Sequence, residues 1–274
     1  MRNNQIQGGE RMTNLIDTHF HFDFIKKDSL RQQLLTEMEQ ASLELVAQTV
    51  LPSEYERLIT QDNKPCKVSL GFHPWWIENQ KTAESELVVF KKWASQTRLI
   101  GEIGLDFSDK RLAVTPQSLQ ISIFKQLIQQ VVSQSQNSQE PYILSIHAIR
   151  SVTAVLDILE ACHVMQENII PIIHWFSGTS DELTRLIKMG CYLSINPRML
   201  TTKKGRAYVT QVPRERLLLE TDWPSHQITI ESDLQTLISA LKTTLPQLVE
   251  DLSALRDEEM LEVIMVNQQK VYGK

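Results

Sequence analysis

Short apolar runs recur along the chain, and between them lie segments whose apolar residues repeat at helical spacing. Eight such runs stand at residues 15–19, 43–50, 67–73, 98–105, 142–147, 169–174, 191–196 and 217–222. Several are near-continuous in Val, Ile and Leu instead of alternating, which is how strands read when both faces are covered. Strands that alternate with helices describe repeated β-α units on a parallel sheet. Eight units predict the α/β class and a TIM-type (β/α)8 barrel.

The helical segments carry their own punctuation. Ser29 precedes an amphipathic stretch, Ser53 with Glu56 has capping-box spacing, and Ser151 precedes Val155, Leu156 and Leu159. The longest segment, 117–136, puts Ile121, Phe124, Leu127, Ile128 and Val131 on one face. Two closing helices are expected at 231–245 and 257–272, and the Gln/Ser cluster at 134–139 reads as a loop.

With 274 residues and 42% hydrophobic composition, the chain can bury one large core. One barrel domain over 15–274 is therefore expected, after a polar tail at 1–14 that has nothing to bury. Met12 is the expected natural start, and the tail holds no apolar core of a secretory signal. No run is long enough to span a membrane. Cys66, Cys162 and Cys191 include no C-x-x-C pair, so neither a disulfide framework nor a thiolate zinc site is indicated, and a cytoplasmic protein fits. A net charge of -5 argues against coating nucleic acid with the whole surface, which leaves a local basic stripe as the means of contact.

Polar chemistry falls at defined places in this pattern. His19, His73, His147, His174 and Asp222 each lie at the carboxyl end of an apolar run. In a parallel barrel those ends converge on one face, where active sites of this fold sit. His19 and His21 form an H-x-H pair, with both imidazoles on the same side of an extended backbone. Glu102 interrupts an apolar strand, where a carboxylate is costly unless it is paired or bound to a cation. A buried Arg or Lys partner for Glu102, and a turn or cap role for Asp222, are the plainer alternatives. Jointly, His19, His21, His147, His174, Glu102 and Asp222 supply the nitrogen and oxygen ligands for two divalent ions, with Mg, Mn and Zn all open. Such a site activates water at neutral pH and stabilises attacking and leaving oxygens, which is hydrolytic chemistry. No phosphate-cradling P-loop and no G-x-S-x-G elbow competes with it.

In order along the chain, L-I-D-T-H-F-H-F-D, G-F-H-P, I-G-E-I-G-L-D, S-I-H, I-I-H-W-F-S-G and L-L-L-E-T-D-W-P resemble the TatD-type metal-dependent DNase family. The resemblance runs from about Leu15 to Tyr272. The stretch from His174 through Met199-Leu200, Lys204-Gly205-Arg206 and Pro213-Arg214-Glu215-Arg216 is most similar to the TatD-like nucleases of Qat anti-phage systems. The family resemblance implies that His19, His21, Glu102 and Asp222 hold one ion, and that Glu102, His147 and His174 hold a second, with Glu102 bridging. It also implies a place for His73 near the scissile phosphate and hydrolysis of DNA, often from a 3′ end. Asp222 would then also accept the proton of the attacking water. Catalysis is thus expected of Asp222, Glu102 and His73, on single-stranded or end-bearing DNA, with other Qat proteins as possible partners. Two departures stand out: Ile149 occupies the family's usual arginine position, with Arg150 one place later, and Trp223 replaces a small residue after Asp222.

Trp75, Trp76, Trp175 and Trp223 lie close in sequence to these positions and are candidates to stack nucleobases, although packing into the strand–helix layer is favoured for Trp175. The segment from Arg198 to Arg216 carries Lys203, Lys204 and Arg206 after the seventh strand, where this fold often binds phosphate. A solvated helix face explains the same charges. Two rival functions keep the barrel: a metal-dependent hydrolase of a small ester, amide or phosphoester, and a subunit of a defence complex that mainly binds nucleic acid or partners.

Overall fold

The computed structural model describes residues 14–61, 65 and 67–273. The expected tail before Asn14, the Met12 start and Cys66 lie outside the described residues. Eight strands, β1 (Leu15–Phe20), β2 (Leu43–Gln48), β3 (Lys67–Phe72), β4 (Leu99–Asp106), β5 (Tyr142–Ile149), β6 (Ile169–His174), β7 (Tyr192–Ile195) and β8 (Leu217–Leu219), follow one another in a single sheet. Every neighbouring pair is parallel. The sheet curls into a nearly closed barrel. Its seam is held by the Thr18 hydroxyl donating to Leu219 O at 2.9 Å, Asp222 N–H to His19 O at 2.9 Å and His21 N–H to Trp223 O at 2.7 Å.

The helices are α1 (Asp28–Gln40), α2 (Pro52–Ile59), α3 (Gln80–Trp93), α4 (Asp109–Leu112), α5 (Gln117–Ser135), α6 (Val152–Ala161), α7 (Ser180–Met189), α8 (Pro197–Leu200), α9 (Lys203–Gln211), α10 (Glu231–Arg256) and α11 (Leu261–Tyr272). No helix among the described residues is long and apolar enough to cross a membrane. Several expected caps are replaced by tertiary contacts. Ser29 lies inside α1. Ser53 caps nothing: its N–H and hydroxyl both reach Glu86 of α3, while Glu56 takes Lys92 and the Trp93 indole. Ser151 precedes α6, but its hydroxyl donates to Leu105 O at 2.7 Å and ties the helix start to β4. The capping box that does form is Thr179 with Glu182, at the start of α7.

Side chains alternate across a strand, so residues two apart share a face. Ile16, Val46, Ile143, Ile172, Tyr192 and Leu218 form an apolar cluster with Val271 and Tyr272 of α11. Two steps along β5 from Ile143 lies Ser145, and two more reach His147; from Leu218 the same stepping passes Glu220 and reaches Asp222. The barrel interior is therefore apolar at its amino-terminal end and polar at its carboxyl-terminal mouth. Strand β8 stops at Leu219, short of Asp222, which turns left-handed at φ 60°, a conformation Asp tolerates.

Candidate metal centre

Glu102 is the hub. It is 2% exposed and projects from β4, whose glycines let neighbouring strands approach closely. A Cβ on Gly101 would lie 2.7 Å from the Ser145 Cβ, and one on Gly104, at φ 146°, would lie 2.0 Å from His147 O. The carboxylate divides its surroundings. Oε2 lies 3.1 Å from His19 Nε2 and 3.7 Å from His21 Nε2, while Oε1 lies 2.8 Å from His147 Nδ1, 2.8 Å from His174 Nε2 and 3.2 Å from His73 Nε2. Asp222 Oδ1 joins the first set, 3.1 Å from His21 Nε2 and 3.6 Å from His19 Nε2. The six residues expected as ligands therefore meet in one cluster, with His73 beside them. Three overlapping groups within it have metal-binding spacing: His19, His174 and Asp222; His19, His21 and Glu102; and His73, Glu102 and His147.

The far nitrogens of three rings show how the cluster is oriented. His19 Nδ1 meets the Ser145 hydroxyl at 2.9 Å, His147 Nε2 meets Asp106 Oδ2 at 3.3 Å, and His174 Nδ1 faces Glu220 Oε1 at 3.5 Å. Such outer partners fix the ring and turn the other nitrogen toward a metal. His147 Nδ1 and His174 Nε2 are only 3.3 Å apart. Satisfying every nearby carboxylate with protons would require both rings to be imidazolium in that contact. Cations in place of those protons remove the conflict, so the donor set fits divalent metal.

Charge follows this geometry. Burial pushes Glu102 up, but His73, His19 and His174 beside it hold it well below the usual carboxylate range. Burial lowers His21, yet the Asp222 hydrogen bond and the Glu102 charge prevail and raise it to about 9. His174 is likewise raised, Glu102 and Glu220 outweighing burial. His73 goes the other way, to about 4, because burial outweighs Glu102 and His147 adds to the lowering. Its Nδ1 accepts the Trp75 N–H at 3.0 Å, so the neutral ring carries its proton on Nε2. Neither nitrogen of His73 then offers a free lone pair, which separates it from the other histidines.

The remaining candidates surround the mouth. Trp75 and Trp76 are 39% and 42% exposed, and the Trp75 indole donates to Asp106 Oδ2 at 2.6 Å. Trp175 packs against the core, with Arg198 over its ring at 5.3 Å. Arg150 pairs with Asp109 at 3.0 Å. Lys203, Lys204 and Arg206 stand exposed on α9, outside the cluster around Glu102. Asp106, Glu220 and Ser145 were not among the expected site residues.

The model of the family described as TatD related DNase matches residues 16–273. The chain belongs to that family, one of metal-dependent hydrolases. This family member is 27% identical over 221 residues to the uncharacterized metal-dependent hydrolase YabD of Bacillus subtilis, covering 77% of this chain and 80% of that one. It is 28% identical over 220 residues to the 3′-5′ ssDNA/RNA exonuclease TatD of Dickeya dadantii, covering 77% and 76%. The crystal structure of YJJV, a TatD homologue from Escherichia coli, shares the fold with a TM-score of 0.74 at 19% identity, over 96% of this chain and 99% of that one.

Proposed function

We propose that this chain is a deoxyribonuclease that removes nucleotides from the 3′ end of single-stranded DNA at a site for two divalent cations. The observation that carries this reading is the split carboxylate of Glu102, one oxygen facing His19 and His21 and the other facing His147 and His174. His19, His21, Glu102 and Asp222 hold one cation; Glu102, His147 and His174 hold the other. Bound Mg, Mn or Zn supplies Lewis acidity toward water and phosphoryl oxygens. Asp222, whose side chain is 22% exposed against 3% for Glu102, is the carboxylate at the mouth and accepts the proton of the attacking water. His73, whose Nε2 lies 3.2 Å from Glu102 Oε1, stands beside the scissile phosphate and positions that carboxylate. A cavity of about 350 Å³ lined by His21, His73, Trp75, Trp76 and Glu102 receives the strand end, with the two indoles as stacking surfaces.

The test is digestion of 5′- and 3′-labelled oligonucleotides by protein stripped of metal and reloaded with one cation at a time. Glu102→Gln and Asp222→Asn are expected to lose at least about 100-fold in rate. Intact oligonucleotides alongside turnover of small chromogenic esters would refute the DNA reading. Lys203, Lys204 and Arg206 guide the backbone in this proposal, so Lys203→Ala with Lys204→Ala weakens binding and flattens its dependence on salt. An unchanged slope removes them from the interface.

The sequence similarity of the His174 to Arg216 stretch to Qat nucleases supports a defence role in the cytoplasm, acting on phage DNA with other proteins of that system. Protection is then lost in the Glu102→Gln variant while assembly persists. Retained protection would favour a binding role instead.

A further inference from the structure

The left-handed turn at Asp222 sends the chain into segment 223–228, which is pinned along its inner side. His21 N–H donates to Trp223 O at 2.7 Å, Ile228 N–H to Phe24 O at 2.9 Å and Lys26 N–H to Ile228 O at 3.0 Å. The other side of the segment meets the first turns of α10, and between them lies a cavity of about 260 Å³. Trp223, Pro224, Leu237 and Ala240 form apolar walls, Asp233 adds a carboxylate, and Ser225, His226 and Thr236 add further polar groups. Drug-sized ligands take roughly 300–1,000 Å³, so this space suits a single ring system.

Its chemistry narrows the occupant. Aromatic and apolar walls take a flat ring, while the Asp233 carboxylate repels phosphate and only accepts hydrogen bonds. Trp223 directly follows Asp222 and its carbonyl accepts the His21 backbone N–H, so one wall of the cavity is built on the residue next to a proposed ligand. We infer that this cavity binds one nucleobase of the substrate strand and selects bases with an exocyclic amine, as in cytosine or adenine, over thymine. This deepens the deoxyribonuclease reading and rests on it. Asp233 accepts from the amine and Trp223 stacks on the ring.

The experiment compares KM for oligo-dC and oligo-dT in the wild type, in Asp233→Ala and in Ala240→Phe, which fills the cavity. The wild type should favour oligo-dC by at least about tenfold, the scale of one hydrogen bond to a charged group. Both variants should erase that preference while leaving kcat on bis-p-nitrophenyl phosphate unchanged. Equal KM values in the wild type, or a preference that survives in Asp233→Ala, overturn the assignment and leave the nuclease reading intact. Should no oligonucleotide be cut, titration with dCMP and dTMP reads the cavity directly. A dCMP preference lost in Asp233→Ala keeps the base site while the nuclease reading falls; no preference overturns both.

Discussion

Asp106 joins two parts of the site that different strands carry. One oxygen faces His147 Nε2 at 3.3 Å and takes the Trp75 indole N–H at 2.6 Å, and the other takes the Ser108 N–H at 2.7 Å. Burial pushes its carboxyl up, but these donors hold it well below the usual range. A charged partner on Nε2 keeps the His147 proton there and leaves the Nδ1 lone pair facing Glu102. Asp106→Asn is therefore expected to reduce divalent-cation affinity by about 10- to 100-fold, measured by titration calorimetry, with unchanged circular dichroism. Unchanged affinity would assign the ring's orientation to packing alone. Cys191 offers a residue-scale test of stability. Burial pushes its thiol up to about 12, with Arg216 offsetting only part of the effect. The unfolded thiol ionises first, so the contribution is complete below the unfolded value and is lost as pH rises toward 12, by about 1.4 kcal/mol per pH unit. Urea midpoints should fall less between pH 8 and pH 10 in Cys191→Ala than in the wild type. An equal fall would show that other groups set the alkaline limit.

At the scale of elements, α10 shows where local rules give way. The helix was expected over 231–245, yet it runs to Arg256 with Pro246 inside it. The buried face settles the matter: Leu234, Leu237, Ile238, Leu241 and Leu245 continue without a break into Leu248, Val249 and Leu252. Interior proline costs about 3 kcal/mol, whereas each buried aliphatic side chain returns about 1.5–3 kcal/mol. Pro246 is exposed, so Pro246→Ala is expected to stabilise by about 1–3 kcal/mol, seen as a higher Tm. No change would mean that the helix bends enough to absorb the ring. The same contest explains what was legible in the sequence. Apolar runs fix strand cores well, as at 169–174, where both ends match. The expected caps did not form: Ser29 lies inside α1, Ser53 is captured by Glu86 and Ser151 by Leu105 O. The ligand candidates stood out because each ends or interrupts an apolar run. Ser145 and Glu220 also interrupt apolar runs and went unread, although they lie two residues before His147 and Asp222 and so share their inward face. Exposed Lys203 and Lys204 carry no such positional constraint, and sequence alone could not place them relative to the cluster.

For the whole molecule, the barrel's inner stepping from apolar floor to polar mouth gathers acids and imidazoles from β1, β4, β5 and β6 and from the turn after β8. These residues are far apart in an unfolded chain, so a cation held among them binds the folded state in preference. Stabilisation then follows mass action and reaches about 2.7 kcal/mol at a cation concentration 100 times Kd. For a domain of this size each kcal/mol moves Tm by about 2–4 °C, so chelation should lower Tm by about 5–10 °C, and readdition of Mn or Zn should restore it. Glu102 contacts both histidine sets, and Glu102→Gln removes the charge that draws cations to either. That variant should fold and melt at one temperature with or without metal in a calorimetric scan. If chelated and reloaded wild type melt together, the cluster is a hydrogen-bonded core and holds no metal; if Glu102→Gln keeps the full shift, the cation sits away from the split carboxylate.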